Sequence, residues 1–555
     1  MTQDNNTPIP LSRIRAKLAQ PRGYRRIDAL ISNPNPAAAV AALSVPEVYQ
    51  LVKEVGFADS LDLVALATPE QLRGCLDMDV WDRDRVQSEA ILPWLTSLVE
   101  AGYEKLSEVW EALDTEFTAL TLQRFTRIYD LSLGEEAPEN SDYPILNTVD
   151  TFFAVELISD DEEINKLIHR IIEDLYRGDV GVLARHTMMS ARSEPPAELE
   201  EMSYRWRSGR MADLGYVDFY DALEVFRPID PNTIAVDENT ADTFGESDQA
   251  AGPGELPVEW AEQVVGRSFL ARALGELTDA AEAKRAETAL VVLVNRVLSA
   301  LRVSPGESEA VALGTAYATA TLALGLEVVS RGSVDVAAQF VRNVSLTRLH
   351  RAGFTTALRL TRFARAIAPR ASTAGDVESA ALSGLLGPQP MMAGELDTPP
   401  TAVPRPFESL ENVRVAAEMM TRLALRIAIA DALGVDLIAM NEMPEPRPAL
   451  DDHIRTALVR VMAGGEFSAA RLSQDELETF IGSFDDGVLT DTTKEVAWQA
   501  VQTWAEEVQL REGGQYLPEL IKGWLGEIEA AFANLDAGDI DPRFVDLVLL
   551  ATRME

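Results

Sequence analysis

Apolar residues recur at helical spacing throughout this chain of 555 residues, and that recurrence restricts it to an all-α architecture. Glu47–Val55, Leu106–Leu113, Asp161–Tyr176, Glu287–Leu301, Ala417–Leu433 and Val496–Leu510 each place apolar side chains on one face of a polar background. No comparable set of alternating strands is visible in the sequence. Helix-start signals agree with the periodicity. Ser44 with Glu47, Thr68 with Gln71, Ser473 with Glu476 and Thr492 with Glu495 match the capping box. In that motif a hydroxyl accepts from an orphan amide while an acid or amide side chain reaches back. Pro69 and Pro542 fall at expected first-turn positions, where a missing N–H costs nothing.

Breaks in this pattern divide the chain. Residues 1–132 form an N-terminal block, in which Ser44-Val-Pro-Glu and Thr68-Pro-Glu-Gln echo one another as helix openings. Two echoes fit a small solenoid of stacked antiparallel helices, with an irregular bundle as the alternative. A short acidic loop, Leu133–Pro144, leads to a second helical block at 145–229. Asp230–Glu262 carries nine acids and no Lys or Arg, so it is expected to be a mobile acidic linker, followed by a central helical block at 263–369. Arg370–Pro406, rich in proline, glycine, serine and threonine, reads as a second linker before a C-terminal helical block at 407–555.

Charge excludes one broad class of function. With 49 basic and 89 acidic residues the formal charge is −40, whereas a general nucleic-acid binder needs clustered cations to neutralise phosphates. No nucleic-acid partner is expected. Cys75 is the only cysteine, so neither an intrachain disulfide nor a multi-thiolate metal site is possible within the chain. The first twenty residues lack the continuous apolar core of a secretory signal, and the expected location is the cytoplasm. Ala310–Leu326 is uncharged, but its length and hydrophobicity fall short of a membrane span, so it is expected to be a buried helix without membrane insertion.

Chemistry-bearing motifs are sparse. His169 and Glu173 stand at i and i+4, a spacing suited to a shared metal but more common in an exposed helix pair. Asp485-Asp486-Gly487 and Asp536–Asp541 lack the full ligand set of a calcium loop, and no phosphate loop or nucleophile elbow occurs. No metal, cofactor or catalytic residue is expected. Cys75 has no neighbouring base in sequence and reads as a structural thiol. Gly314 and Gly325 interrupt an Ala-rich helical pattern, where small residues permit close helix packing.

Two segments stand out as candidate binding elements. Between Tyr204 and Phe226, Arg205, Arg207 and Arg210 alternate with Trp206, Tyr216 and other rings, a mixture favoured at interfaces and in aromatic-lined pockets. The alternative is that the rings form a core and the arginines pair with neighbours such as Asp213 and Asp218. Arg342–Arg370 holds seven arginines and no acid. At about 100° per residue, Arg348, Arg351, Arg359, Arg362 and Arg365 fall within roughly a third of a helix circumference, opposite Leu349, Leu360, Ala364 and Ile367. Gly353 is a potential break in that helix. Docking of this basic face onto the protein's own acidic helices is the expected use, with an anionic ligand, an acidic partner or a membrane surface as the alternatives.

Leu51–Asp84 and Tyr204–Pro231 together resemble a bacterial domain-of-unknown-function family of large, acidic, helical cytoplasmic proteins. That resemblance implies no established activity. The first block is also similar to the helical N-terminal cytosolic domain of magnesium transporters and to flagellar motor-switch proteins, which implies a shape used for protein contact. The expected function is therefore a non-enzymatic cytoplasmic scaffold or adaptor that binds a protein partner through Arg205, Trp206, Arg207, Arg210, Tyr216, Arg359, Arg362 or Arg365. The alternative is an enzyme or sensor that holds an anionic small molecule at the same clusters.

Overall fold

Helix starts fall where the capping residues place them. The Glu47 carboxylate accepts from the Ser44 N–H at 3.0 Å, and Gln71 and Thr68 exchange reciprocal hydrogen bonds at 2.8 and 3.2 Å. Ser473 and Glu476 close a third box. The fourth start lies two residues earlier than expected: Thr490 is the cap and accepts from the Thr493 N–H, because a hairpin ending at Leu489 runs straight into the helix.

The computed structural model describes residues 23–555 apart from 178–180, 237–263, 265, 267, 304, 306, 372, 394–403, 444–446, 511, 512, 534, 536–546 and 552–555. Pro542 and most of the expected acidic linker therefore lie outside the described residues. The chain divides into two units, Met1–Gly353 and Phe354–Glu555. The described residues form 23 α-helices with only small sheets of two or three short strands, so the protein is all-α.

The first unit opens with α1 (Gly23–Ile31), α2 (Pro36–Ala41), α3 (Val45–Val55), α4 (Leu61–Leu66) and α5 (Pro69–Asp79). A two-residue pairing, β1 (Trp81–Asp82) with β2 (Arg85–Val86), turns the chain into α6 (Ser88–Ala101), α7 (Tyr103–Ala112) and α8 (Thr115–Phe125). From α1 to α7 each helix packs against its second neighbour in sequence: α1 on α3, α2 on α4, and so on to α5 on α7. Val48, Val52, Leu72, Trp94, Leu98 and Trp110 fill the core between them. Such dense apolar burial contributes about 1.5–3 kcal/mol per large side chain.

A three-stranded antiparallel sheet follows, which the sequence reading does not anticipate. It comprises β3 (Thr126–Asp130), β4 (Ile145–Asn147) and β5 (Phe153–Leu157) in the order β3-β5-β4, with Ile128 and Leu146 both opposite Val155. All five residues of β5 are buried, so the strand shows no polar alternation. After it come α9 (Glu162–Leu175), α10 (Gly181–Ser193), α11 (Pro196–Asp213), the short α12 (Phe219–Ala222), α13 (Ser268–Gly275), α14 (Ala280–Leu301), α15 (Ser308–Ser330), α16 (Val334–Asn343) and α17 (Leu346–Ile367), whose residues from Phe354 on belong to the second unit.

Helix α15 is longer than the uncharged run suggests. Its span Glu309–Ser330 has 22 residues with mean hydropathy 1.4 and is long and apolar enough to cross a membrane, yet 72% of the apolar window is buried inside the fold. It is a core helix here, and its tightest contact is glycine on glycine. A Cβ at Gly325 would lie 1.9 Å from the Leu349 carbonyl oxygen, and one at Gly353 would lie 2.0 Å from the Thr321 carbonyl oxygen. Gly353 therefore does not break α17 but lets its backbone meet that of α15.

The second unit contains α18 (Asp376–Leu386), β6 (Met391–Met392) paired with β7 (Arg405–Pro406), α19 (Leu410–Ala432), α20 (Leu450–Met462) and α21 (Gln474–Ile481). A hairpin of β8 (Phe484–Asp485) and β9 (Val488–Leu489) precedes α22 (Asp491–Glu507) and α23 (Leu517–Phe532). Asp486 and Gly487 form its turn with φ of 49° and 79°, the left-handed pair that a tight hairpin requires. Leu425, Ile429, Leu458, Phe480, Trp504 and Trp524 make the core. Residues 370–406, expected as a linker, thus include a helix and a strand pair.

Candidate functional site

The Arg/aromatic segment separates into an inner and an outer half. On α11, Arg210 turns inward and grips two carboxylates. Its Nε and Nη2 donate to Asp77 Oδ2 and Oδ1 at 2.6 and 2.9 Å, while Nη1 and Nη2 donate to Asp114 Oδ1 and Oδ2 at 2.9 and 2.7 Å. Burial disfavours its charge, but the hydrogen bonds it donates to Asp77 and Asp114 outweigh that cost and hold the guanidinium pKa above its ordinary value. Arg207 Nε donates to the Asp77 carbonyl at 2.7 Å, and its Cζ lies 5.4 Å from the centre of the Trp81 ring. Burial pushes the Arg207 pKa down. Tyr204 packs on Trp81 at 6.0 Å between ring centroids, and Tyr216 is buried in the same core.

Arg207 and Arg210 are therefore struts that fix α11 to α5 and to the cap of α8, while Tyr216, just beyond α11, is a core ring. The expected partners Asp213 and Asp218 are not the ones used, since residues more than ninety positions upstream supply the carboxylates. Arg205 and Trp206 face outward. Arg205 forms an exposed i, i+4 pair with Glu201, and Trp206 is 52% exposed. The sequence brings these five residues together, but the structure does not make one site of them.

The basic helix behaves differently. Leu349, Leu360, Ala364 and Ile367 are buried along α17, as its amphipathic pattern requires, while Arg359, Arg362 and Arg365 are all exposed. No ion pair or hydrogen bond joins these three arginines to a described residue, so the expected docking onto internal acidic helices is not found among the described residues. They span about 9 Å of helix at 1.5 Å per residue. Elsewhere in the run, Arg342 bonds Glu282 at 3.0 Å and Arg370 bonds Asp431 at 2.5 Å. Those end arginines are internal, whereas the three between them form an open cationic face.

Other candidates resolve into local structure. His169 Nε2 lies 3.6 Å from Glu173 Oε1 in an exposed pair, and among the described residues no three His, Cys, Asp or Glu side chains converge to hold a metal. Cys75 is buried, and burial pushes its thiol pKa up, away from the reactive thiolate. A Cβ at Gly314 would press within 2.5 Å of Leu298 Cδ2, which fits its expected packing role.

Sequence reasoning missed His350. It is fully buried on α17, with Nδ1 3.2 Å from the Val225 carbonyl oxygen and the Phe226 and Tyr317 rings about it. Nothing in its local pattern distinguishes it, because the surrounding rings come from distant segments.

Residues 3–551 match the family of unknown function DUF6178, and the chain belongs to that family. No curated protein and no solved structure matches it.

Proposed function

We propose that the protein is a non-enzymatic cytoplasmic scaffold or adaptor, and that the exposed face of α17 receives an acidic segment of a partner protein. The observation that carries this reading is the set Arg359, Arg362 and Arg365, exposed and without a partner among the described residues in a chain of formal charge −40. In such a chain the default fate of an arginine is an internal carboxylate. A cluster left open is complementary to an acidic helix or loop, which gains charge-assisted, bidentate hydrogen bonds there. The second-neighbour stacking of α1 to α7 supports the scaffold reading, because helices stacked in that manner present an extended surface.

The test compares the parent protein with an R359E/R362E/R365E variant. Thermal melting is expected to be unchanged, because an exposed helix face tolerates polar substitution. Capture of native partners from the source cytoplasm is expected to lose specific acidic proteins. If the melting temperature drops and the captured set is unchanged, the face is structural and the proposal fails.

A further inference from the structure

The connection between α19 and α20 builds a pocket of about 480 Å³ that lies wholly within the second unit, and its wall carries sulfur and imidazole donors. Gly434, with φ of 79°, turns the chain out of α19. Asp436 then opens a short 3-10 turn, Ala439–Glu442, by accepting from the Ile438 and Ala439 N–H groups at 3.2 and 2.9 Å. Residues three apart on such a turn share one side of it. Met440 and Met443 have that spacing, joined by a hydrogen bond from the Met443 N–H to the Met440 carbonyl at 3.2 Å, and both line the pocket. Met440 is buried, whereas Met443 is 46% exposed.

His453, near the start of α20, lines the same space. Its Nε2 is buried and has no hydrogen-bond partner among the described residues. A water or an ion accounts for an orphaned nitrogen of this kind, and the side chains around it decide which. Asp436 has one carboxylate oxygen engaged in the turn, and the lining side chains other than the two thioethers are Leu433, Val435 and alanines, which offer a water no partner. Two thioethers beside a neutral imidazole are instead the donors that select a soft monovalent cation. Burial lowers the His453 pKa, with Asp452 opposing the shift and Arg471 adding to it, so the ring is neutral at about pH 7.

We infer that Met440, Met443 and His453 bind one Cu(I) ion through the two Sδ atoms and Nε2. All three donors are uncharged, which suits a monovalent ion better than a divalent one. Hard cations take oxygen ligands, and structural zinc takes thiolates and imidazoles, so neither matches a set with two thioethers. A methionine side chain has three rotatable bonds, and both sulfurs are therefore free to close on an ion seated at His453. The mouth of the pocket beside Met443 gives that ion its path from solvent. A search for His, Cys, Asp and Glu groupings passes over such a site, because two of its three donors are thioethers.

The full-length chain is titrated anaerobically with Cu(I) in competition with a chromophoric Cu(I) chelator. One equivalent per chain is expected to be withheld from the chelator. M440L/M443L and His453→Gln are each expected to weaken that retention by more than about tenfold, since changes to outer-shell groups alone cost about 10–100-fold in metal affinity. Leucine conserves the volume of methionine, so M440L/M443L is expected to melt as the parent does. Met189→Leu, at an exposed methionine of the first unit, and Cys75→Ala are expected to retain the ion. Ag(I), a redox-inert stand-in, reads the ligands directly in the parent: it is expected to shift two methionine methyl NMR resonances, the pair missing from M440L/M443L. Failure to withhold Cu(I) from the chelator overturns the inference. So do undiminished retention in both site variants, loss of the ion in a Cys75→Ala protein that melts as the parent does, and Ag(I) shifts confined to other methionines.

Discussion

Replacing Gly325 by alanine tests the closest backbone approach in the first unit. The added Cβ would sit 1.9 Å from the Leu349 carbonyl oxygen, 2.9 Å from the Leu349 carbonyl carbon and 3.0 Å from the Gly353 nitrogen. Carbon and oxygen at such a crossing normally lie about 3.3 Å apart or more, so α15 and α17 must separate by more than about 1 Å. A flexible side chain would swing aside. Here the obstruction is backbone on both helices, so relief requires shifting a helix packed on buried residues such as Leu322, Leu326, Leu349 and Ala352.

Overpacking of this kind costs about 3 kcal/mol, the upper end of the usual range, and the better helix propensity of alanine returns about 1 kcal/mol. The net loss is about 2 kcal/mol, which lowers a melting temperature by about 3 °C in a unit of this size. Gly209→Ala is the control. That glycine also lies within a helix of the first unit, and a Cβ there meets nothing within 4 Å, so the substitution is expected to stabilise by about 0.5–1 kcal/mol. Gly353→Ala meets the same crossing from the other side, 2.0 Å from the Thr321 oxygen. Once one alanine has opened the gap the second costs less, so the double variant is expected to lose less than the sum. Differential scanning calorimetry measures all four variants beside the parent. A Gly325→Ala protein that melts as high as Gly209→Ala would refute the close approach and the reasoning built on it.

Two further outcomes follow from buried charge and buried nitrogen. Arg210→Ala leaves Asp77 and Asp114 without their shared cation and is expected to cost about 2–3 kcal/mol by urea denaturation, whereas Arg205→Ala, five residues away and exposed, stays within about 0.5 kcal/mol. Equal costs would remove Arg210 from its role as a strut. His350 is held neutral, with burial pulling its pKa from 6.5 down to about 4 against a weaker opposing hydrogen bond to Val225. The unfolded chain therefore takes up the proton first. Stability is full above about pH 6.5 and falls towards pH 4, by about 2 kcal/mol between pH 6.5 and 5. A His350→Phe protein lacks this component, so the stability difference between it and the parent is expected to shift by that amount across the same interval. A difference that stays constant with pH would show that His350 does not titrate in this way.

Legibility in the sequence followed the range of the interaction. Periodicity and capping are local, so all six periodic segments lie in or across helices and three of the four capping boxes close. The sheet was not legible, because β5 is buried on both faces and its five residues match a fragment of buried helix equally well. Asp486-Gly487 carries a hairpin signal in its Asp-Gly pair, but the same residues also form a fragment of a calcium-loop pattern, and only the left-handed φ values separate the two. Arg210 and Asp77 are 133 residues apart. No one-dimensional pattern distinguishes the acid that pairs with an arginine from the many that do not, so an inward strut and an outward contact look alike in sequence. The amphipathic face of α17 was legible because the helix itself sets it, but whether another element covers that face is a tertiary fact.

Why charge reversal discriminates so cleanly at that face follows from Coulomb's law in water. Arg359, Arg362 and Arg365 occupy adjoining positions on one exposed face. Neighbours about 6 Å apart repel by about 0.7 kcal/mol at the dielectric constant of water, less in physiological salt. Three glutamates at those positions repel one another by the same amount, so the internal energy of the face is nearly unchanged by reversal. Its interaction with an external carboxylate changes sign. An arginine paired inside the fold behaves oppositely: reversing Arg426, which contacts Glu378 and Asp451, puts three carboxylates in one partly buried site and destabilises the unit at once. The two kinds of arginine thus give opposite pairs of results in melting and in binding, and Arg359, Arg362 and Arg365, exposed and without a partner among the described residues, are expected to give the first pair.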